Sequence, residues 1–394
     1  MDRNATDHPV GAPDPYAILA ARIRTGAYLP GSRLPSERAL SQEIGVHRST
    51  LRRALARLAD DGLLDCQPGR QPIVRDVPAA PDGWRTVAFL MGNEPSFHAF
   101  NLVLRGCEPE LRQAGHRLAY MDTWGPSLEI SRQREHEALG GLLQHPVAGL
   151  IIWCQDPPTA LPYVKRAVEH GIPVVAIDRE IPGCPVDYVG VDNVLVARMA
   201  VEHLLELGHR RIAFATGVDE TTTPPLLRED GYRETMHRYG LGVDESLIYR
   251  LKSGLHDGAA MELARRLKAA RNRPTAIFAM NDILAWRLVA ALRQCGLRIP
   301  EDVAVIGVDD IEDQSLHAPI LSTIRQPLEA AGMYAARLLL QRIQTPTLPV
   351  RQTILQTNLI RRASTMGAAA EDGGSDASIL RLHGLSLYRE PGAR

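Results

Sequence analysis

From residue 86 to about residue 361 the chain alternates short apolar, β-rich runs with longer amphipathic ones, and no other feature of the sequence restricts the fold as strongly. The short runs lie at 86–91, 117–122, 147–153, 173–178, 211–216, 275–280 and 303–308, with amphipathic runs at 100–114, 193–207, 257–269, 282–295 and 327–343 among them. Such alternation is the signature of repeated βα units and a parallel sheet. Right-handed crossovers then place ligands outside the carboxyl ends of the strands. The informative residues are therefore those just after each strand: 93–98, Trp153 and Cys154, Asp178 and Arg179, Asn281 and Asp282, and Asp309 and Asp310. Arg228 joins them, expected at the head of the helix that follows a Thr/Pro-rich loop at 219–227.

Carboxylates, an amide and a guanidinium beside the flat surfaces of Phe97 and Trp153 suit a polyhydroxylated ligand, whose hydroxyls donate and accept in fixed directions. A sugar is the natural guess. Asp178, Asp282 and Asp309 have a plainer reading as helix caps after strands, and convergence at successive strand ends weighs against it. The sequence holds no G-x-S-x-G, G-x-x-x-x-G-K-[ST] or H-E-x-x-H, and no G-x-G-x-x-G after the first strand. Its 13 histidines are dispersed, and its five cysteines include no CxxC pair, so neither a metal nor a cofactor is expected. Binding without turnover is preferred.

A net charge of −1 says nothing about nucleic acid until it is divided along the chain. Residues 14–77 carry ten arginines against seven acids, and residues 47–57 four arginines with no acid. Within this unit residues 16–25 have apolar positions at helical spacing, Ser36 supplies an N-cap for a second helix, and Gly45 ends it. In residues 47–60, Leu51, Leu55 and Leu58 recur at i, i+4 and i+7, leaving the arginines on the remaining arc. Two short helices joined at a glycine, the second basic outside, have the geometry that lays a helix in a major groove. Residues 62–74 read as two extended runs about Pro68 and Gly69, a β-wing.

The run LPSERALSQEIGVHRSTLRRALARLADDGLL followed by PGR resembles the winged helix-turn-helix of the GntR family. The resemblance places Arg38, Arg48, Ser49, Thr50, Arg52 and Gly69 at positions that contact DNA in that family, with His47 and Arg70 as its local departures. Similarly, GVDNVLVARMAVEHLLELGHRRIAFATG, AIFAMNDILAWRLVAALRQCGLRIPEDVAVIGVDD and LSTIRQPLEAAGMYAARLLLQRI look like the effector domain of LacI/GalR repressors, itself similar to periplasmic sugar-binding proteins. That resemblance maps effector contacts onto Asp178, Arg228, Asn281 and Asp309, with Phe97, His98 and Trp153 in first-lobe positions that vary with the ligand. The combination is that of arabinose-operon repressor type regulators.

The expected fold is an α+β winged helix-turn-helix followed by an α/β two-lobed, periplasmic-binding-protein-like domain of parallel sheets flanked by helices. Its expected divisions are a disordered leader (1–13), the DNA-binding unit (14–77), a proline-containing linker (78–83), the effector domain (84–362) and a flexible tail (363–394). The resemblance implies a homodimer on double-stranded DNA with a palindromic operator and a small-molecule effector. No run approaches a membrane span and the start carries no apolar signal core, so a cytoplasmic protein is expected. A solute-binding protein for transport and a sugar-modifying enzyme with a regulatory head are the competing readings.

Overall fold

The computed structural model describes residues 15–24, 28, 31–60, 63–67, 70–75, 86–92, 99–125, 127–144, 147–217, 222–251, 257–311 and 320–366. The linker, the leader and the segment 367–394 lie outside them.

The N-terminal unit packs helices α1 (Pro15–Arg24), α2 (Glu37–Ile44) and α3 (Arg48–Asp60) against the antiparallel pair β1 (Leu64–Asp65) and β2 (Ile73–Val74). Ser36 caps α2 by accepting from the Ala39 amide at 3.2 Å. Gly45 stops that helix in a left-handed conformation, φ 73°, and its amide returns to the Ser41 carbonyl. The tight turn throws α3 across α2, so that Leu51, Leu55 and Leu58 bury with Leu19, Leu40, Ile44 and Val74. Arg33 bridges Ile73, which gives the wing a short third edge.

The larger part is two α/β lobes. Lobe 1 contains β3 (Thr86–Met91), α4 (Ala99–Gln113), β4 (Arg117–Asp122), α5 (Leu128–Gln144), β5 (Gly149–Ile152), α6 (Pro157–Glu169), β6 (Val174–Ile177) and β7 (Asp187–Val191). Lobe 2 contains α7 (Asn193–Glu206), β8 (Ile212–Gly217), α8 (Thr223–Arg238), β9 (Ile248–Leu251), α9 (Asp257–Ala269), β10 (Ala276–Ala279), α10 (Asp282–Gln294), β11 (Ala304–Asp309) and β12 (Ser322–Arg325). The chain then returns to lobe 1 for α11 (Leu328–Gln344) and β13 (Gln352–Leu355), and ends in lobe 2 with β14 (Asn358–Ile360) and α12 (Ala363–Met366). It crosses between lobes after β7, after β12 and after β13.

The sheet orders are β4-β3-β5-β6-β7-β13 and β9-β8-β10-β11-β12-β14, parallel throughout except for β12–β14. Both lobes thus reverse strand order beside their first strand, at β3/β5 and at β8/β10, and a crevice opens at the carboxyl ends there. Their central strands are buried on both faces, by apolar clusters on either side of the lobe 1 sheet and by one large cluster in lobe 2. In lobe 1, α4 and α11 meet backbone to backbone. A Cβ on Gly106 would overlap the Glu329 carbonyl, and one on Gly332 the Val103 carbonyl, so only glycine allows this approach.

All seven expected strands are present, within two residues of the expected bounds. Two expectations change. The 219–227 loop is in part helix: α8 starts at Thr223, with Pro224 and Pro225 in its first turn, where a missing N–H costs nothing. Residues 363–366, assigned above to the tail, form α12, and its Ser364 hydroxyl donates to the Val305 carbonyl at 2.6 Å and accepts from the Ser322 amide at 2.8 Å.

Candidate functional site

Three non-glycine residues among those described have positive φ, and all are aspartates at strand ends: Asp178 (63°) after β6, Asp309 (122°) at the end of β11, and Asp310 (62°). Conformations of this kind cost of order 1–3 kcal/mol and persist where the surroundings over-determine them. At Asp178 the amide donates to the Val189 carbonyl at 2.8 Å, and the carbonyl accepts from the Tyr188 hydroxyl at 2.9 Å. At Asp310 the carboxylate takes Arg325 at 2.6 Å and Arg362 at 2.7 Å. Beneath the turn, Asp282 accepts from the Ile311 amide (2.9 Å) and the Thr323 hydroxyl (2.8 Å), which fixes the loop that carries Asp309.

Arg228, in the second turn of α8, is 4% exposed. Its Nε donates to Asn193 Oδ1 at 2.9 Å and its Nη1 to the Met280 carbonyl at 2.5 Å, joining α8 to the first crossover and to the end of β10. Gln326, on the second crossover, donates to Asp309 Oδ1 at 2.6 Å and lines a small hinge cavity together with Asp178. Arg179 reaches the Cys154 carbonyl at 3.1 Å and Gln155 Oε1 at 3.2 Å, with its Nε 3.8 Å from Asp178. Groups from both lobes and from the crossover therefore meet in one enclosed polar cluster.

Burial is the first influence on both carboxyls. It raises Asp178 above the usual carboxylate range, against the opposing pull of Arg179, Arg228 and Gln326. It pushes Asp309 up to about 7, against Arg228 and Gln326 and with the help of Asp178. Among the described residues nothing donates to Asp178 Oδ1, although the atom is buried. An acceptor left so is a place for a ligand hydroxyl. Beside it, at the hinge, a cavity of about 10 Å³ lined by Ile177, Asp178, Val189, Gln326 and Leu355 has room for one water and no more.

The sequence-derived set divides. Asp178, Arg228 and Asp309 converge. Asn281 stands at the same strand ends, where its Oδ1 caps α10 by accepting from the Leu284 amide at 2.9 Å. Trp153 is 5% exposed and packs in the lobe 1 core with Ile177, Ile311 and Leu328, not as an open platform. Phe97, His98 and Gly69 lie outside the described residues. In the N-terminal unit Arg38, His47, Arg48, Ser49, Arg52 and Arg70 are exposed and Thr50 half-buried. His47 Nδ1 lies 2.9 Å from the Ser49 hydroxyl at the start of α3, and Arg52 Nε donates to Glu37 at 2.8 Å.

Residues 15–72 match the family described as bacterial regulatory proteins, gntR family, and residues 201–365 that described as periplasmic binding protein-like domain. The ribose operon repressor of Escherichia coli (strain K12) is 32% identical over 265 residues, 67% of this chain and 78% of that protein. The chain belongs to the LacI/GalR family of transcriptional regulators. This LacI/GalR regulator carries a GntR-type head, and it matches another relative over more of its length. The arabinose metabolism transcriptional repressor of Geobacillus stearothermophilus is 29% identical over 351 residues, 87% of this chain and 94% of the relative. A solved LacI family regulator from Enterococcus faecium with bound ribose is 25% identical, TM-score 0.61, covering 71% of this chain and 98% of that one.

Among the described residues of the regulator, no helix is long and apolar enough to cross a membrane. Gln326 and Asn193 were absent from the sequence-derived inventory, and Arg179 stood in it without a role. Gln326 follows a strand that the sequence did not reveal, whereas Asn193 was hidden as the first residue of a recognised helix.

Proposed function

We propose that the regulator represses transcription by holding a palindromic operator as a homodimer, and that a sugar bound between its lobes controls that hold. The observation that carries the sugar reading is the cluster of Asp178, Arg228, Asp309 and Gln326, drawn from both lobes and the hinge and enclosed. Carboxylates accept from ligand hydroxyls and the guanidiniums donate to ligand oxygens, with Asp178 Oδ1 as one acceptor in want of a donor. The ribose and arabinose regulators among its relatives support the same class of ligand.

Because the cluster is closed to solvent here, a ligand reaches it by parting of the lobes about the three crossovers. The ligand shifts the equilibrium between open and closed lobes only by its differential affinity for them. Asn281, Trp153, Phe97 and His98 complete the proposed effector site. On the head, Arg38, His47, Arg48, Ser49, Thr50, Arg52, Gly69 and Arg70 form the proposed DNA face. Its arginines are suited to guanine edges or phosphates. Thermal unfolding of the full chain across pentoses, hexoses and disaccharides tests the reading, since a ligand at 100 times its Kd adds about 2.7 kcal/mol. One sugar raises the midpoint for wild type and not for Arg228→Ala; no shift with any sugar contradicts the proposal.

A further inference from the structure

The inner face of α5 carries a carboxylate where an amphipathic helix would ordinarily bury an aliphatic side chain. Glu135 is 2% exposed. Its two oxygens accept from the Gln155 amide at 2.5 Å, the Asp156 amide at 3.0 Å and the Cys154 thiol at 3.4 Å. Burial raises this carboxyl above its ordinary range, and the three donors with Arg179 pull it back. An ion removed from water in this way is retained at a cost that a leucine would avoid.

What the carboxylate holds is the loop that leaves β5 at the strand-order reversal of lobe 1. Asp156 in turn accepts from the Thr159 hydroxyl at 2.5 Å and lies 3.4 Å from Arg132 Nε, which pins the start of α6. The Gln155 side chain lies against the end of β3, where a Cβ on Gly92 would come 2.8 Å from its Nε2. The loop presents the Cys154 carbonyl and Gln155 Oε1 to one partner, Arg179 Nη1, at 3.1 and 3.2 Å. Arg179 stands beside Asp178 in the cleft. The path Glu135, residues 154–156, Arg179, Asp178 runs from the outer helix layer to the polar cluster without a gap.

We propose that Glu135 is a positioning residue for effector recognition: by clamping the 154–156 loop it sets the place of the Arg179 guanidinium against the ligand. The inference rests on the sugar-binding reading of the cleft. Glutamine at 135 keeps the shape but offers one acceptor oxygen and turns an N–H donor toward a loop of donors, so the clamp opens while the packing stays. Aspartate is a methylene short and does not reach both amides.

The test is a double-mutant cycle on the full chain, with D-ribose and L-arabinose as calorimetric probes, using Glu135→Gln, Arg179→Ala and the pair. If Glu135 acts through Arg179, Glu135→Gln weakens binding by roughly tenfold, and the double variant binds no more weakly than Arg179→Ala alone. Hydrogen exchange without sugar speeds up at the Gln155 and Asp156 amides in both Glu135→Gln and Glu135→Asp, with lobe 2 unchanged. The inference is overturned if Glu135→Gln binds as wild type does, if the two losses multiply, or if those amides keep their protection. Binding by wild type and its loss in Arg228→Ala decide the cleft reading separately.

Discussion

The Gln326 carboxamide donates to Asp309 Oδ1 at 2.6 Å, and so ties the segment leaving lobe 2 to a lobe 2 carboxylate at the point where it becomes α11 of lobe 1. The same side chain lines the small hinge cavity with Asp178 of lobe 1. One side chain on the hinge therefore bonds one of two buried carboxylates and stands beside the other. Gln326→Leu keeps the volume and removes the donor, leaving Asp309 short of a partner at about 1–3 kcal/mol. Sugar affinity, measured by calorimetry, should fall about tenfold or more. An unchanged affinity would show that Gln326 braces the hinge without touching recognition.

Two buried groups give opposite pH trends. Asp309 sits at about 7 when folded against about 3.9 unfolded, so the folded state holds the extra proton between these values. Its contribution to stability is full below pH ~4 and is lost as pH rises through ~7. His203, 2.9 Å from the Thr365 hydroxyl, is held down to about 4 by burial against about 6.5 unfolded, so its contribution is lost as pH falls from ~6.5 to ~4. Across that range, denaturant titrations should show Asp309→Asn gaining on wild type as pH rises and His203→Asn gaining as pH falls.

Asp187 is fully buried at the start of β7 and accepts from Arg342 Nε at 2.6 Å and Nη2 at 2.9 Å, with the Arg351 amide at 2.8 Å. Arg342 also donates to the Pro346, Leu348 and Pro349 carbonyls, so the pair fastens the connection from α11 to β13. Removing one member of such a pair strands the other, at about 3–5 kcal/mol. Asp187→Ala should lose that much in urea unfolding, and Asp187→Ala with Arg342→Met should lose less.

On the head, Arg52 pairs with Glu37 at 2.8 Å, but the two side chains are 68% and 37% exposed. An exposed pair of this kind contributes at most about 1 kcal/mol. A guanidinium on a guanine edge is worth about 1–3 kcal/mol. Arg52→Ala should therefore leave the unfolding midpoint nearly unchanged while it weakens operator binding about 10- to 100-fold, as fluorescence anisotropy would read. Stability lost in step with binding would assign Arg52 to the fold instead.

The fold was legible where burial and chemistry agree. The strands at 86–91 and 303–308 are wholly apolar or small, and the structure keeps them within a residue of the reading. What escaped is polar for a reason. In β12, Ser322 and Thr323 are fully buried because Ser364, Thr365 and Asp282 satisfy them, and without those partners in view the strand reads as a loop. The edge strands β13 and β14 have no fully buried residue to set a pattern. In α5 the inward positions include Ser131 and Glu135, which spoil its amphipathic signal, and α6 begins with two prolines and holds a third at Pro162. At the site, Asp178 and Arg228 were legible as strand-end and helix-head polar residues. Trp153, expected as a flat surface for a ligand, is buried in this structure, and sequence cannot tell a strand-end aromatic that faces the cleft from one that faces the core.

The most direct test joins the two halves of the regulator. A labelled duplex that the full chain selects from a random pool would be titrated with protein, with and without the sugar identified by thermal shift, and anisotropy followed. The account predicts that the sugar changes duplex affinity at least about tenfold for wild type and leaves Arg228→Ala and Asp309→Ala unresponsive while they still bind the duplex. A sugar that binds the lobes with no change in duplex affinity would contradict it.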